Sequence, residues 1–194
     1  LGASQSGFID SVGFEMYSQL LEEAILKKQG KEQKRQKSNA ELNLQIDAYL
    51  PSDYISDERQ KIEIYKRIRE IDSRVNYENL QDELIDRFGE YPDVVAYLLE
   101  IGLAKSYLDQ AFVKSVERQQ NAVSIHFEKI SQQLYLTQDY FEALSMTNLK
   151  ARIGEKNGLI EVIFDVRNKK DYEILEGLVN FGEKMLEIKQ RKAE

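Results

Sequence analysis

His126 is the only histidine of this 194-residue chain and cysteine is absent, so acid–base and nucleophilic chemistry have few places to start. In AVSIHFEK, Val123, Ile125 and Phe127 alternate with it. Strand period sends those three to a core and the imidazole to the opposite face, which predicts a surface strand residue. Ser6, in Gln5-Ser6-Gly7, offers a hydroxyl but has no histidine near it in sequence to act as base. The missing cysteines exclude disulfides and thiolate metal sites, and agree with a reducing compartment. Asp53, Asp57, Glu58, Asp82, Glu83, Asp86, Glu90 and Asp93 are numerous. All of them fit helix caps, first turns or solvated helix faces rather than a catalytic pair. The chain contains no G-x-x-x-x-G-K-[ST], G-x-G-x-x-G or G-x-S-x-G. No catalytic centre, metal or cofactor is therefore expected within it.

Two Pro, 10 Gly and 42% hydrophobic residues describe a folded, helix-rich chain long enough for a real core. No apolar run approaches the roughly 18 residues of a membrane span. The net charge of −7 opposes a grip on nucleic acid by the chain as a whole. Charge is uneven, however. KKQGKEQKRQK (27–37) carries six Lys or Arg against Glu32, so it holds +5 and the remainder −12. Such a run is either a solvated helix end or linker, or a tether passing near DNA phosphates or an acidic partner. It sets a boundary between residues 1–38 and 39–194.

Before it, Ile9, Val12, Met16, Leu20 and Ala24 recur at helical spacing beside Phe14, Tyr17, Leu21 and Ile25. This is an apolar face too wide for a lone surface helix, so residues 8–28 are expected to pack on something outside the chain or on a second copy. The opening carries no initiator Met and no signal-peptide pattern, and is expected to follow a longer upstream part.

After it, Leu42, Leu44, Ile46 and Ala48 alternate as a strand ended by Pro51. A helix is expected with Ser56 as N-cap, Asp57 and Glu58 in its first turn and Ile62, Tyr65, Ile68 and Ile71 buried. The next helix, YENLQDELIDRFG, turns Leu80, Leu84 and Phe88 inward and stops at Gly89; Pro92 opens the most apolar helix. From Phe112 the period becomes two. One hairpin turns at Gln120-Asn121 and another at Asn157-Gly158, with a short helix capped by Thr137 between them. A last helix is expected to bury Tyr172, Leu175, Leu178, Val179 and Met185. The body is thus α+β, with helices packed on a small, mainly antiparallel sheet, preceded by the amphipathic helix and basic linker.

LGASQSGFIDSVGFEMYSQLLEEAI, LQIDAYLPSDYISDERQKIEIYKRI and ELIDRFGEYPDVV, in that order, resemble the end of the bacterial transcription-repair coupling factor family. The resemblance covers most of the chain to about Ala104. The family consists of ATP-driven translocases of double-stranded DNA that push RNA polymerase off lesions and recruit nucleotide excision repair. By resemblance, Gly2, Gln5, Ser6 and Gly7 close a translocation motif shared with branch-migration helicases, and residues 8–28 form a hook around a motor domain. ATP, magnesium and DNA belong to the absent motor domains, and the protein to the bacterial cytoplasm. The α+β body resembles the family's C-terminal regulatory domain. That domain docks on the N-terminal module of the same protein, masking the surface that recruits the damage-recognition ATPase, and polymerase binding releases it.

A plug for an arginine-bearing surface should present carboxylates on a rigid element. Glu83 and Asp86, about one turn apart on YENLQDELIDRFG, with Glu90 beyond its end, are the partner-binding candidates. The alternative is a nucleic-acid-binding or protein-interaction module acting on its own. DNA binding by residues 39–194 at moderate salt would favour the former.

Overall fold

A computed structural model describes residues 40–193. The Gln5-Ser6-Gly7 loop, the apolar helix of residues 8–28 and the basic linker lie outside the described residues. The described chain divides into two compact units, residues 47–102 and residues 40–46 with 103–193.

The first unit is helical. Its helices are α1 (Glu58–Arg69), α2 (Arg74–Phe88) and the part of α3 (Asp93–Gln110) up to Gly102. Asp57, not Ser56, caps α1. Its backbone is extended and its carboxylate accepts from Gln60 N at 2.9 Å, which leaves Ser56 one residue too early to reach a free N–H. The buried face of α1 holds Lys61, Ile64, Tyr65 and Ile68, while Ile62 is only half-buried. Lys61 is buried because Nζ finds Ser52 Oγ at 3.0 Å, which satisfies one donor of a charge otherwise costly to bury. The Tyr65 hydroxyl accepts from Leu50 N at 2.9 Å, tying the segment before α1 to the helix. Gly102 admits the Ile68 side chain and carbonyl where a Cβ would stand 2.9 and 3.0 Å away, so α3 packs closely on α1.

The second unit is built on a five-stranded sheet. Its strands are β1 (Glu41–Asn43), β2 (Val113–Gln119), β3 (Ala122–Phe127), β4 (Lys150–Lys156) and β5 (Leu159–Asp165), in the order β1-β2-β3-β5-β4. β1 pairs with β2 in parallel and every other pair is antiparallel. β1 is shorter than the Leu42–Ala48 alternation predicts, because Gln45 takes a left-handed φ of 56° and turns the backbone out of the ladder. Both hairpins turn where expected, with positive φ at Gln120, Asn157 and Gly158.

Short helices α4 (Ser131–Leu134) and α5 (Thr137–Leu144) follow the first hairpin, and α6 (Asp171–Lys192) ends the chain. Thr137 does not cap α5. The Asp139 carboxylate instead reaches back to Leu136 N at 2.7 Å. α6 buries Ile174, Leu175, Leu178, Val179, Phe181, Met185, Leu186 and Ile188. Tyr172, expected inside, is 49% exposed because the inward row of α6 starts at Ile174. The core side of the sheet meets these helices in a chain of tilted rings. Phe181 lies 6.4 Å from Phe127 and 5.7 Å from Phe164, and Phe127 lies 5.2 Å from Tyr140. Burial raises the pKa of Tyr135, whose hydroxyl lies 2.9 Å from the Ala111 carbonyl, and that of Tyr140.

Candidate functional site

α2 is fixed at both ends before its outer face is considered. Ser73, in extended conformation, accepts from Asn76 N at 3.1 Å. Gly89, at φ 84°, ends the helix and donates to Ile85 O at 2.9 Å. The Tyr54 hydroxyl sits 2.8 Å from the Gly89 carbonyl and 3.2 Å from that of Leu84, pinning the last turn. Burial, and then the neighbouring Tyr91, raise the Tyr54 pKa, so it stays a donor. Phe88 packs 5.9 Å from the Tyr54 ring and carries the Arg87 guanidinium 5.0 Å above its own.

With Leu80 and Leu84 turned inward, 2% and 0% exposed, the helical period puts Glu78, Asp82 and Asp86 in one outward row at four-residue spacing. Exposed Val75 and Ile85 flank the row, and Glu90 follows beyond the end of the helix. Among the described residues none of these four carboxylates forms an ion pair. Glu83 differs. It lies half-exposed against Arg67 and within 3.2 Å of Arg87, which also reaches Glu63 at 3.2 Å. Of the three carboxylates singled out from sequence, Asp86 and Glu90 present free charge, whereas Glu83 is held in an ion-pair network of its own unit. Glu78 and Asp82 escaped the sequence reading, although their spacing from Asp86 was a legible signal. Like charges four apart weaken a helix slightly, so packing does not account for the row.

His126 is less open than strand alternation predicts. It lies opposite both Ser115 on β2 and Glu161 on β5. Ser115 Oγ is 3.3 Å from Nδ1, and Glu161 contacts Nε2. The imidazole is 19% exposed because cross-strand neighbours cover it on both sides. The row places a serine, a histidine and a carboxylate together, which sequence alone could not show since they come from three strands. All three side chains lie along one sheet face, and a cleft of about 470 Å³ in this unit is lined by other residues. It reads as a polar cross-strand ladder.

Gly2, Gln5, Ser6 and Gly7 lie outside the described residues. Among the described residues, no group of three or more His, Asp or Glu side chains is placed to hold a metal ion. No described helix is long and apolar enough to cross a membrane.

Comparison with known proteins supplies the context for this acidic helix. Residues 44–137, which include all of α2, match the model of the TRCF domain family. The transcription-repair-coupling factor of Bacillus subtilis (strain 168) is 33% identical over 191 residues, 98% of this chain. That of Staphylococcus epidermidis (strain ATCC 12228 / FDA PCI 1200) is 35% identical over 190 residues, 97% of this chain. The chain spans only 16% of the length of each of these relatives. A crystal structure of the C-terminal domain of a transcription-repair coupling factor superposes with a TM-score of 0.78 at 72% identity, over 80% of this chain and 96% of that one. Similarity along nearly the whole sequence, together with this shared fold, shows that the chain belongs to the transcription-repair coupling factor family.

Proposed function

We propose that the chain is the non-catalytic C-terminal regulatory part of an ATP-dependent DNA translocase that displaces stalled RNA polymerase and recruits nucleotide excision repair. In this reading it docks on the N-terminal module of the same protein and masks the surface that recruits the damage-recognition ATPase. ATP and magnesium are bound by motor domains elsewhere in that protein, which works in the bacterial cytoplasm. Gly2, Gln5, Ser6 and Gly7 contribute to translocation, and residues 8–28 hold a motor domain or, in its absence, a second copy.

One observation carries the docking role. α2 is capped and pinned at both ends, yet presents Asp86 and Glu90 with no ion-pair partner among the described residues. A rigid surface of uncompensated carboxylates suits an arginine-bearing partner, because little side-chain and backbone freedom is lost on docking. Glu83 joins this surface by exchanging Arg67 and Arg87 for arginines of the partner module. An intramolecular plug also needs only modest intrinsic affinity, since covalent linkage of the two partners raises their effective concentration.

The test is Asp86→Lys with Glu90→Lys in the full-length protein, measuring binding of the damage-recognition ATPase without polymerase. Unmasked recruitment is expected. Wild-type masking in a correctly folded double variant would remove α2 from the docking surface.

A further inference from the structure

Among the described residues, β4 ends the sheet of the second unit and has a ladder partner, β5, on one side only. It is seven residues long and no residue of it is buried. Its pairing sets Lys150 opposite Asp165, Arg152 opposite Ile163, Gly154 opposite Glu161 and Lys156 opposite Leu159. By the two-residue pleat, Lys150, Arg152, Gly154 and Lys156 therefore share one face, the face that also carries His126 and Glu161. The other face of β4 carries Ala151, half-buried Ile153 and, toward its end, exposed Glu155. Among the described residues, Lys150, Arg152 and Lys156 form no ion pair. Beside the strand lies a cleft of about 470 Å³, lined by Lys150 and Arg152, by Arg167 with Asp165 at 3.9 Å from it, and by the Gln120-Asn121 turn of the first hairpin. In a chain of net charge −7, this end of the sheet is locally cationic.

The geometry points to the free edge of β4 as a docking site for an extended acidic peptide that adds a strand to the sheet. Backbone groups of the peptide pair with the open edge of β4. Carboxylates at alternate positions lie beside Lys150, Arg152 and Lys156, and apolar residues between them cover Ala151 and Ile153. Charge decides among occupants. A second copy pairing β4 on β4 would set Lys and Arg of one strand against those of the other, and the basic 27–37 run of the same chain carries the same sign. An acidic strand is the partner that this edge accepts. A nucleic-acid strand would meet the same cations but lacks the alternating N–H and C=O groups that complete a ladder on the backbone of β4. The inference rests on the second unit alone and does not depend on the docking role of α2.

The test uses the whole 194-residue chain and a fluorescein-labelled peptide that alternates glutamate and valine, followed by anisotropy at moderate salt and by amide exchange across residues 150–156. Saturable binding with slowed exchange in β4 is expected. N-methylation of one alternate set of peptide amides should abolish binding while methylation of the other set leaves it, because a ladder uses only the amides that face the edge. Lys150→Glu with Arg152→Glu should weaken binding by about tenfold or more, through two reversed cross-strand charge pairs. Both positions are exposed, and thermal unfolding verifies that the double variant is folded. The peptide arms do not depend on any variant. Equal binding of both methylated peptides would overturn the strand-addition geometry. Equal or tighter binding of an oligothymidylate would replace it with a nucleic-acid site, and absence of saturable binding would dismiss the edge.

Discussion

α2 and α5 both carry acidic rows, and the molecule uses them in opposite ways. On α5, Asp139 is 3% exposed, accepts from Leu136 N and meets Lys192 Nζ at 2.9 Å. Glu142, one turn on, meets Arg191 at 3.0 Å and Lys184 at 3.8 Å, so the basic residues near the end of α6 answer both carboxylates. On α2, Glu78, Asp82 and Asp86 stand in a regular row, and among the described residues none of the three forms an ion pair. Acidity of a helix is therefore a poor guide to its role. What separates a structural carboxylate from one available to a partner is whether the fold supplies its counter-charge.

The largest effect expected from this contrast is on α5. Asp139→Ala removes both the backbone cap and the Lys192 contact from a nearly inaccessible position, and should cost about 0.5–2 kcal/mol of stability. Urea unfolding of the variant measures it. A loss no greater than that of an exposed α2 carboxylate would erase the distinction.

Glu83 tests the boundary case within α2 itself. Its two arginines are partly exposed, so Glu83→Ala should cost about 0.2–1 kcal/mol, the range of surface pairs with good geometry. Asp82→Ala and Asp86→Ala should change stability by less than about 0.5 kcal/mol or raise it slightly, since each removes a like-charge neighbour at four-residue spacing. Parallel unfolding curves for the three variants rank them. Glu83→Ala falling with the other two would show that its network contributes nothing in solution.

Much of this organisation was legible in the sequence because it rests on local rules. Apolar period located every described helix except the four-residue α4, Gly89 marked the end of α2, and Asn157-Gly158 announced its hairpin. The misses share a cause: each depends on where a side chain reaches rather than on spacing. Asp57 displaced Ser56 as a cap, and Asp139 capped α5 from inside the helix in place of Thr137. Lys61 entered the core because Ser52 happens to meet it, an arrangement that hydrophobic patterning scores as an error. Ser115, His126 and Glu161 come together only through strand order. On α2, inward Leu80 and Leu84 led to Asp86 but not to Glu78 and Asp82 in the same row, nor to the pairing of Glu83 with Arg67 from α1.

The smallest effect is a titration rather than a loss of fold. The hydrogen bond from Arg191 holds the Glu142 carboxyl below its ordinary value of 4.5, with the charges of Arg191 and Lys184 adding to it. A carboxyl depressed in the folded state contributes stability that is fully present above its unfolded pKa and is lost as pH falls through the folded one. The contribution of Glu142 is therefore intact at neutral pH and fades only below the ordinary carboxylate range. Since the pair is solvated, the expected change is seen in the titration midpoint of Glu142 by carboxyl-carbon NMR. Arg191→Ala should move that midpoint upward toward 4.5, and Lys184 at 3.8 Å should retain part of the depression. A Glu142 midpoint insensitive to Arg191 would mean that the end of α6 does not neutralise α5 in solution, and the two acidic helices would no longer differ in the way that assigns one of them to a partner.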